Sequence, residues 1–71
     1  MEATGNIVFV DLSGGFWGIE SDDGNKYMPL DGVPKRFQEK GKRVKITFEP
    51  SDALSIYMWG QNINLSDIKA L

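Results

Sequence analysis

Three groups of side chains in this chain have the chemistry to act on something: the carboxylates Asp11, Asp22 and Asp23, a basic run from Lys35 to Lys45, and the aromatic residues. Paired carboxylates can move protons or hold a cation. Asp22 and Asp23 stand directly before Gly24, however, where Asp is favoured because its side chain bonds to nearby backbone in a turn. The twelve-residue pattern of oxygen ligands that builds a calcium loop is absent. Asp11 is expected on the strand face that carries Ile7 and Phe9, with no second carboxylate placed beside it, so a barrel-end or solvent-facing position is the reading for it. Cys and His are both missing. That removes Cys/His zinc sites, haem ligation by either residue, thiol catalysis and every Ser-His-Asp or Cys-His arrangement. Gly14-Gly15 lacks the GxxxxGK(S/T) spacing and the following helix of a phosphate-binding loop. No enzymatic activity, metal or cofactor is expected.

The basic cluster comprises Lys35, Arg36, Lys40, Lys42, Arg43 and Lys45, six of the eight positive charges. Arg43 and Lys45 share a strand face, and such a patch can steer a phosphate backbone or an acidic partner. The alternative is a solvated surface opposite an acidic turn region. Tyr57 and Trp59 alternate against Leu54, Ile56 and Met58. An exposed aromatic pair beside positive charge can stack bases, contact a protein, or be needed for packing in so short a chain. Phe9, Phe16, Trp17, Tyr27, Phe37 and Phe48 are expected mostly in the core.

Seventy-one residues make one domain, and a chain of this size buries only about 60% of its unfolded surface. Without disulfides or metals, stability must come from apolar packing and backbone pairing. The formal charge of −2 argues against a general polyanion binder. No signal peptide is visible at the acidic start Met1-Glu2-Ala3-Thr4-Gly5, and no run approaches the roughly 20 apolar residues of a membrane helix. Cytoplasmic location is the default expectation, although a domain cut from a longer secreted or lipid-anchored protein would look the same.

The elements that must position these groups are short strands. Residues 6–12 carry Ile7 and Phe9 on one face and Val8, Val10 and Leu12 on the other, as suits a barrel or sandwich strand. Residues 16–21 form the second strand. Gly18 inside it suggests a sharp bend or a close contact with an aromatic ring. Asp23-Gly24-Asn25 is a hairpin signal, leading to a short third strand that ends at Pro29. Pro34 through Gly41 has the proline-first, glycine-last pattern of one or two helical turns, with Val33 and Phe37 spaced to plug a barrel end. Residues 42–49 alternate, with Val44, Ile46 and Phe48 inward and Arg43, Lys45, Thr47 and Glu49 outward. Alternation resumes over residues 54–59, and Gly60-Gln61-Asn62 reads as a turn or bulge. Leu65 and Ile68 are three apart, so a bulge or an end-turn near Ser66-Asp67 must interrupt strict alternation.

Five or six short strands with a helical turn between the third and fourth make an all-β, five-stranded OB-like barrel the preferred architecture, with an SH3-like barrel as its rival. The pattern Val8-Phe9-Val10-Asp11-Leu12, Gly15-Phe16-Trp17-Gly18-Ile19, Asp23-Gly24, Tyr27, Pro29, Pro34, Phe37, Gly41, Val44 and Met58-Trp59-Gly60 resembles a family of small OB-like domains found alone in bacteria and archaea or attached to lipoproteins. Asp31-Gly32-Val33-Pro34 looks like a variant of that family's Asn-Leu-Pro loop. The resemblance implies an OB-like barrel and no particular activity, since fold does not fix function. The expected function is a monomeric, non-enzymatic binding or structural module that contacts a protein or a neighbouring domain through the Tyr57/Trp59 face. Its rival is single-stranded nucleic-acid binding across Arg43, Lys45 and an adjacent aromatic, with Lys35 and Arg36 as further candidate contacts.

Overall fold

In the computed structural model, which describes residues 1–12, 14–52 and 59–71, five strands close into a barrel. They are β1 (Glu2–Val10), β2 (Phe16–Ser21), β3 (Lys26–Pro29), β4 (Arg43–Pro50) and β5 (Gln61–Ala70), with a 3-10 turn over Lys35–Phe37 between β3 and β4. Their order around the barrel is β1-β2-β3-β5-β4. Every pairing is antiparallel except β3 with β5, which is parallel. The five-stranded barrel with a helical turn between the third and fourth strands, expected from the sequence, is therefore the one the chain adopts.

Closure depends on β1 serving two neighbours. Glu2–Asn6 pair with β4 and Gly5–Val10 pair with β2, so Gly5 and Asn6 lie in both ladders. A Cβ at Gly5 would run into the Glu20 carbonyl and the Ser21 backbone; only glycine lets the two chains approach so closely at the point where β1 changes partner. The β2–β3 hairpin closes through Ser21 N–H to the Asn25 carbonyl (2.8 Å), with Gly24 at φ +92°. At the other seam, Thr47 opposes Asp67 but Phe48 opposes Leu65. Ser66 is thus the extra residue of a β-bulge, which restores Leu65 and Ile68 to a workable register as their spacing requires.

The core is built from the inward face of β4 (Val44, Ile46, Phe48) with Ile7, Ile19, Tyr27, Ile63 and Ile68. Val33 and Phe37 are buried with them, so the segment around the 3-10 turn fills one end of the barrel. Gln38 braces that segment by donating from Nε2 to the Val33 carbonyl at 3.0 Å. Several expectations need correction. The helical turn is one three-residue 3-10 turn, because its two apolar residues dock without needing more helix. β1 begins at Glu2, four residues earlier than the expected start at residue 6, since Glu2 through Gly5 are held by pairing with β4 and not by hydrophobic alternation. It ends at Val10, leaving Leu12 exposed. Phe9 is not core: it is 41% exposed, lying past the last core layer. Gln61 and Asn62 belong to β5, and the bend falls at Trp59-Gly60. The alternating run over 54–59 and the candidate Tyr57 lie outside the described residues, except for Trp59.

Candidate binding surface

On β2, Ile19 and Ser21 point into the barrel and are buried, which turns Phe16, Gly18 and Glu20 outward. The Trp59 ring rests on the bare backbone of Gly18. A Cβ there would sit 2.5 Å from Trp59 Cζ3 and 2.6 Å from Cη2. The glycine that the sequence marks as a bend or an aromatic contact is the seat of an indole. Phe16 meets the same ring edge-on, with centroids 5.6 Å apart and planes at 73°, a favoured aromatic geometry. Lys26, opposite Glu20 across the β2–β3 pair, places Nζ 5.8 Å from the Trp59 centroid. Gly60 makes the approach possible: its φ is +68°, and a Cβ would collide with the Lys26 carbonyl at 2.6 Å. The result is a half-buried aromatic platform on the outer face of β2, edged by one cation and one carboxylate.

The basic residues take other places. Arg43 and Lys45 share the outer face of β4, as their alternation requires, and both are matched to acids. The Arg43 guanidinium donates to both carboxylate oxygens of Asp22 (2.6 and 2.7 Å) and to Asn6 Oδ1 (2.9 Å). This bidentate bond holds the Asp22 carboxyl below the usual aspartate range and raises Arg43 further. Lys45 lies 3.2 Å from Glu2 Oε1, and Lys42 lies 4.0 Å from Glu39. Lys35 and Arg36 sit on the 3-10 turn, with the Arg36 guanidinium 5.0 Å from the Phe37 centroid. Among the described residues neither is in an ion pair. β4 and β2 flank β1 on opposite sides, so Arg43 and Lys45 are not beside the Trp59 platform.

Asp23 does the turn work assigned to it. Its Oδ1 accepts from the Ser21 hydroxyl and, at 3.2 Å, from Asn25 Nδ2, and these bonds together with the Asn25 backbone N–H lower its pKa, the Ser21 contribution being the largest. Two features escape sequence reasoning. The Asp22–Arg43 bridge spans 21 positions and leaves no local signature. Phe9 and Trp17, directly opposed on β1 and β2, pair edge-on at 5.1 Å with Lys40 Nζ 5.8 Å from the Phe9 centroid. The only hint of that second aromatic site is Gly15, whose Cβ would collide with the Phe9 ring. Among the described residues no helix is long and apolar enough to cross a membrane. Comparison of the chain with protein-family models, with curated proteins and with solved structures finds no match.

Proposed function

We propose that this protein is a non-enzymatic binding module of the OB class, related to the small OB-like domains its motifs resemble, and that it contacts a protein partner or neighbouring domain through the outer face of β2. The observation that carries this reading is the Trp59 ring seated on Gly18 against Phe16. Tryptophan held in a fixed, half-buried pose supplies contact area at low entropic cost, which is why such residues anchor protein interfaces. The phosphate-binding rival is less well supported. It needs a run of positive charge beside stacking rings, whereas Arg43 and Lys45 are matched to Asp22 and Glu2 and stand across β1 from the platform, leaving Lys26, opposite Glu20, as the cation at the Trp59 ring.

Salt separates the two readings. Titrating the protein with a fluorescent mixed-sequence single-stranded oligonucleotide at low and moderate salt should show no saturable binding. A partner retained by the immobilised domain should persist at moderate salt, be lost with Trp59→Ala, and survive Arg43→Ala/Lys45→Ala. Oligonucleotide binding that fades steeply with salt and disappears in the Arg43/Lys45 variant would overturn the proposal, since such fading is the mark of counterion release from phosphates.

A further inference from the structure

We propose that the cleft between the start of β1 and the β2–β3 turn is a binding site for an alkylammonium group. This site is separate from the β2 platform and does not depend on its function. The cleft arises where β1 changes partner: before Gly5 the strand pairs only with β4, so its first residues part from β2. The Asp22 N–H to Thr4 carbonyl bond (2.9 Å) still ties its two walls together. It encloses about 210 Å³, lined by Glu2 and Thr4 on one side, Ser21, Asp22 and Asp23 on the other, and Tyr27. At about 30 Å³ per water in the liquid, that is room for a headgroup and a short alkyl stem.

The hydrogen-bonding capacity left in the cleft defines the ligand. Asp22 spends both carboxylate oxygens on Arg43. Asp23 spends Oδ1 within the turn, on Ser21 and Asn25. Among the described residues no hydrogen bond reaches Asp23 Oδ2 or Glu2 Oε2. Tyr27 is only 8% exposed, its ring packed against Phe48 at 4.7 Å. Its hydroxyl nevertheless has no partner among the described residues and is not sealed from solvent. The surface it retains is in the cleft. A phenol held in a fixed pose by its buried ring, with its hydroxyl open to the cleft and to no protein partner, is free to accept a hydrogen bond from a ligand. What remains is two carboxylate oxygens and one phenol oxygen, all able to accept. A primary ammonium brings three donors, no acceptor and a positive charge, and its alkyl stem can lie along the tyrosine ring. Among the described residues no three acidic groups converge as metal ligands would.

The test is an amide-shift titration of the intact chain with propylammonium, with propanol as the neutral match, and with an end-blocked tripeptide carrying one central lysine. Saturable shifts at Thr4, Ser21 and Asp23 with the ammonium, absent with propanol, are expected at a Kd of about 1 mM. Glu2→Gln, at an exposed position, and Tyr27→Phe, which keeps the ring, should each weaken binding by about tenfold, as loss of a charge-assisted hydrogen bond does. A lysine tripeptide that binds more tightly than propylammonium identifies a protein side chain as the source; equal affinity identifies a free amine. Shifts that never saturate, that propanol reproduces, or that survive both variants would overturn the assignment.

Discussion

Replacing Gly18 by Ala adds one methyl group to the outer face of β2, and its consequence can be worked out from the Trp59 seat. The new Cβ would stand 2.5 and 2.6 Å from two ring carbons, closer than carbon atoms pack, so the indole must leave. A fully buried tryptophan removes roughly 150–250 Å² from water. Trp59 is only partly exposed, and the share of its surface that rests on Gly18 and Phe16, about 100 Å², is at stake, or about 2.5 kcal/mol at 25 cal/mol per Å². Loss of the edge-on contact with Phe16 adds about 0.5–1.5 kcal/mol. Against this, alanine is favoured over glycine within a strand by about 0.5–1 kcal/mol. The net loss is about 2–3 kcal/mol, which for a domain of this size lowers Tm by roughly 10–20 °C. Thermal unfolding in a Trp17→Phe background, where Trp59 is the one remaining tryptophan and is excited selectively over the two tyrosines, should show the lower Tm and a red-shifted folded-state spectrum. The decisive comparison repeats the substitution on Trp59→Ala. With the ring gone, Gly18→Ala should become neutral or stabilising by about 0.5–1 kcal/mol. Equal destabilisation in both backgrounds would refute the seat and show that Gly18 is required by the β2 backbone itself.

Phe48→Ala removes a fully buried ring that packs on Tyr27. It should cost about 3–5 kcal/mol by urea denaturation, most of the stability a domain this small possesses; a loss below about 1 kcal/mol would contradict the inward face assigned to β4. Gly5→Ala should be far more damaging than Gly24→Ala. The first drives a methyl group into the Glu20 carbonyl, while the second meets nothing within 4 Å and suffers only from its φ of +92°, a penalty of about 1–2 kcal/mol; the reverse order of denaturation midpoints would remove Gly5 from its role in barrel closure. Acid should weaken the fold through Asp22 and Asp23. Both carboxyls are held below their ordinary value, so the stability they contribute is present above about pH 3.9 and is lost as the pH falls through their folded-state values. Arg43→Ala should flatten the acid limb of a Tm–pH profile by removing the Asp22 share, and an unchanged limb would show that the bridge has no effect on folding.

Local chemistry made most of the fold legible. β2 and β3 have the limits that their flanking turns announce, because glycine and aspartate at a hairpin act within four residues of themselves. An interruption near Ser66 follows from the three-residue spacing of Leu65 and Ile68, since strict alternation would put one of them in water; that it is a bulge and not an end-turn is decided by pairing with β4. The inward set of β4 followed from its period of two. What stayed hidden depends on partners distant in sequence. Glu2, Ala3 and Thr4 become strand only because β4 lies beside them, and nothing in their own composition asks for it. Phe9 continues the inward face of Ile7, yet the barrel wall ends before it does, so periodicity alone could not distinguish a core residue from one at the rim.

The candidate surface shows the same division more sharply. Six cations within eleven positions read as one patch because sequence distance was the only distance to hand. The barrel disperses them by pairing: Arg43 crosses to Asp22, Lys45 to Glu2 and Lys42 to Glu39, while Lys35 and Arg36 ride on the 3-10 turn. Charge is a poor guide to a site when opposite charges arrive from other strands, because exposed pairs contribute little energy but cancel the local field on which long-range steering relies. Glycine was the better guide. Gly18 has φ in no unusual region, so its value cannot lie in backbone freedom and must lie in the space its missing side chain leaves. The same logic holds for Gly5 against β2, while Gly15 under Phe9 is required twice over, by its φ of +94° and by the ring its Cβ would strike. In a small barrel without disulfides, aromatic rings can press this closely on the wall only where a residue yields its side chain. The glycines inside or beside strands therefore marked this chain's exposed aromatic surface more accurately than its basic residues did.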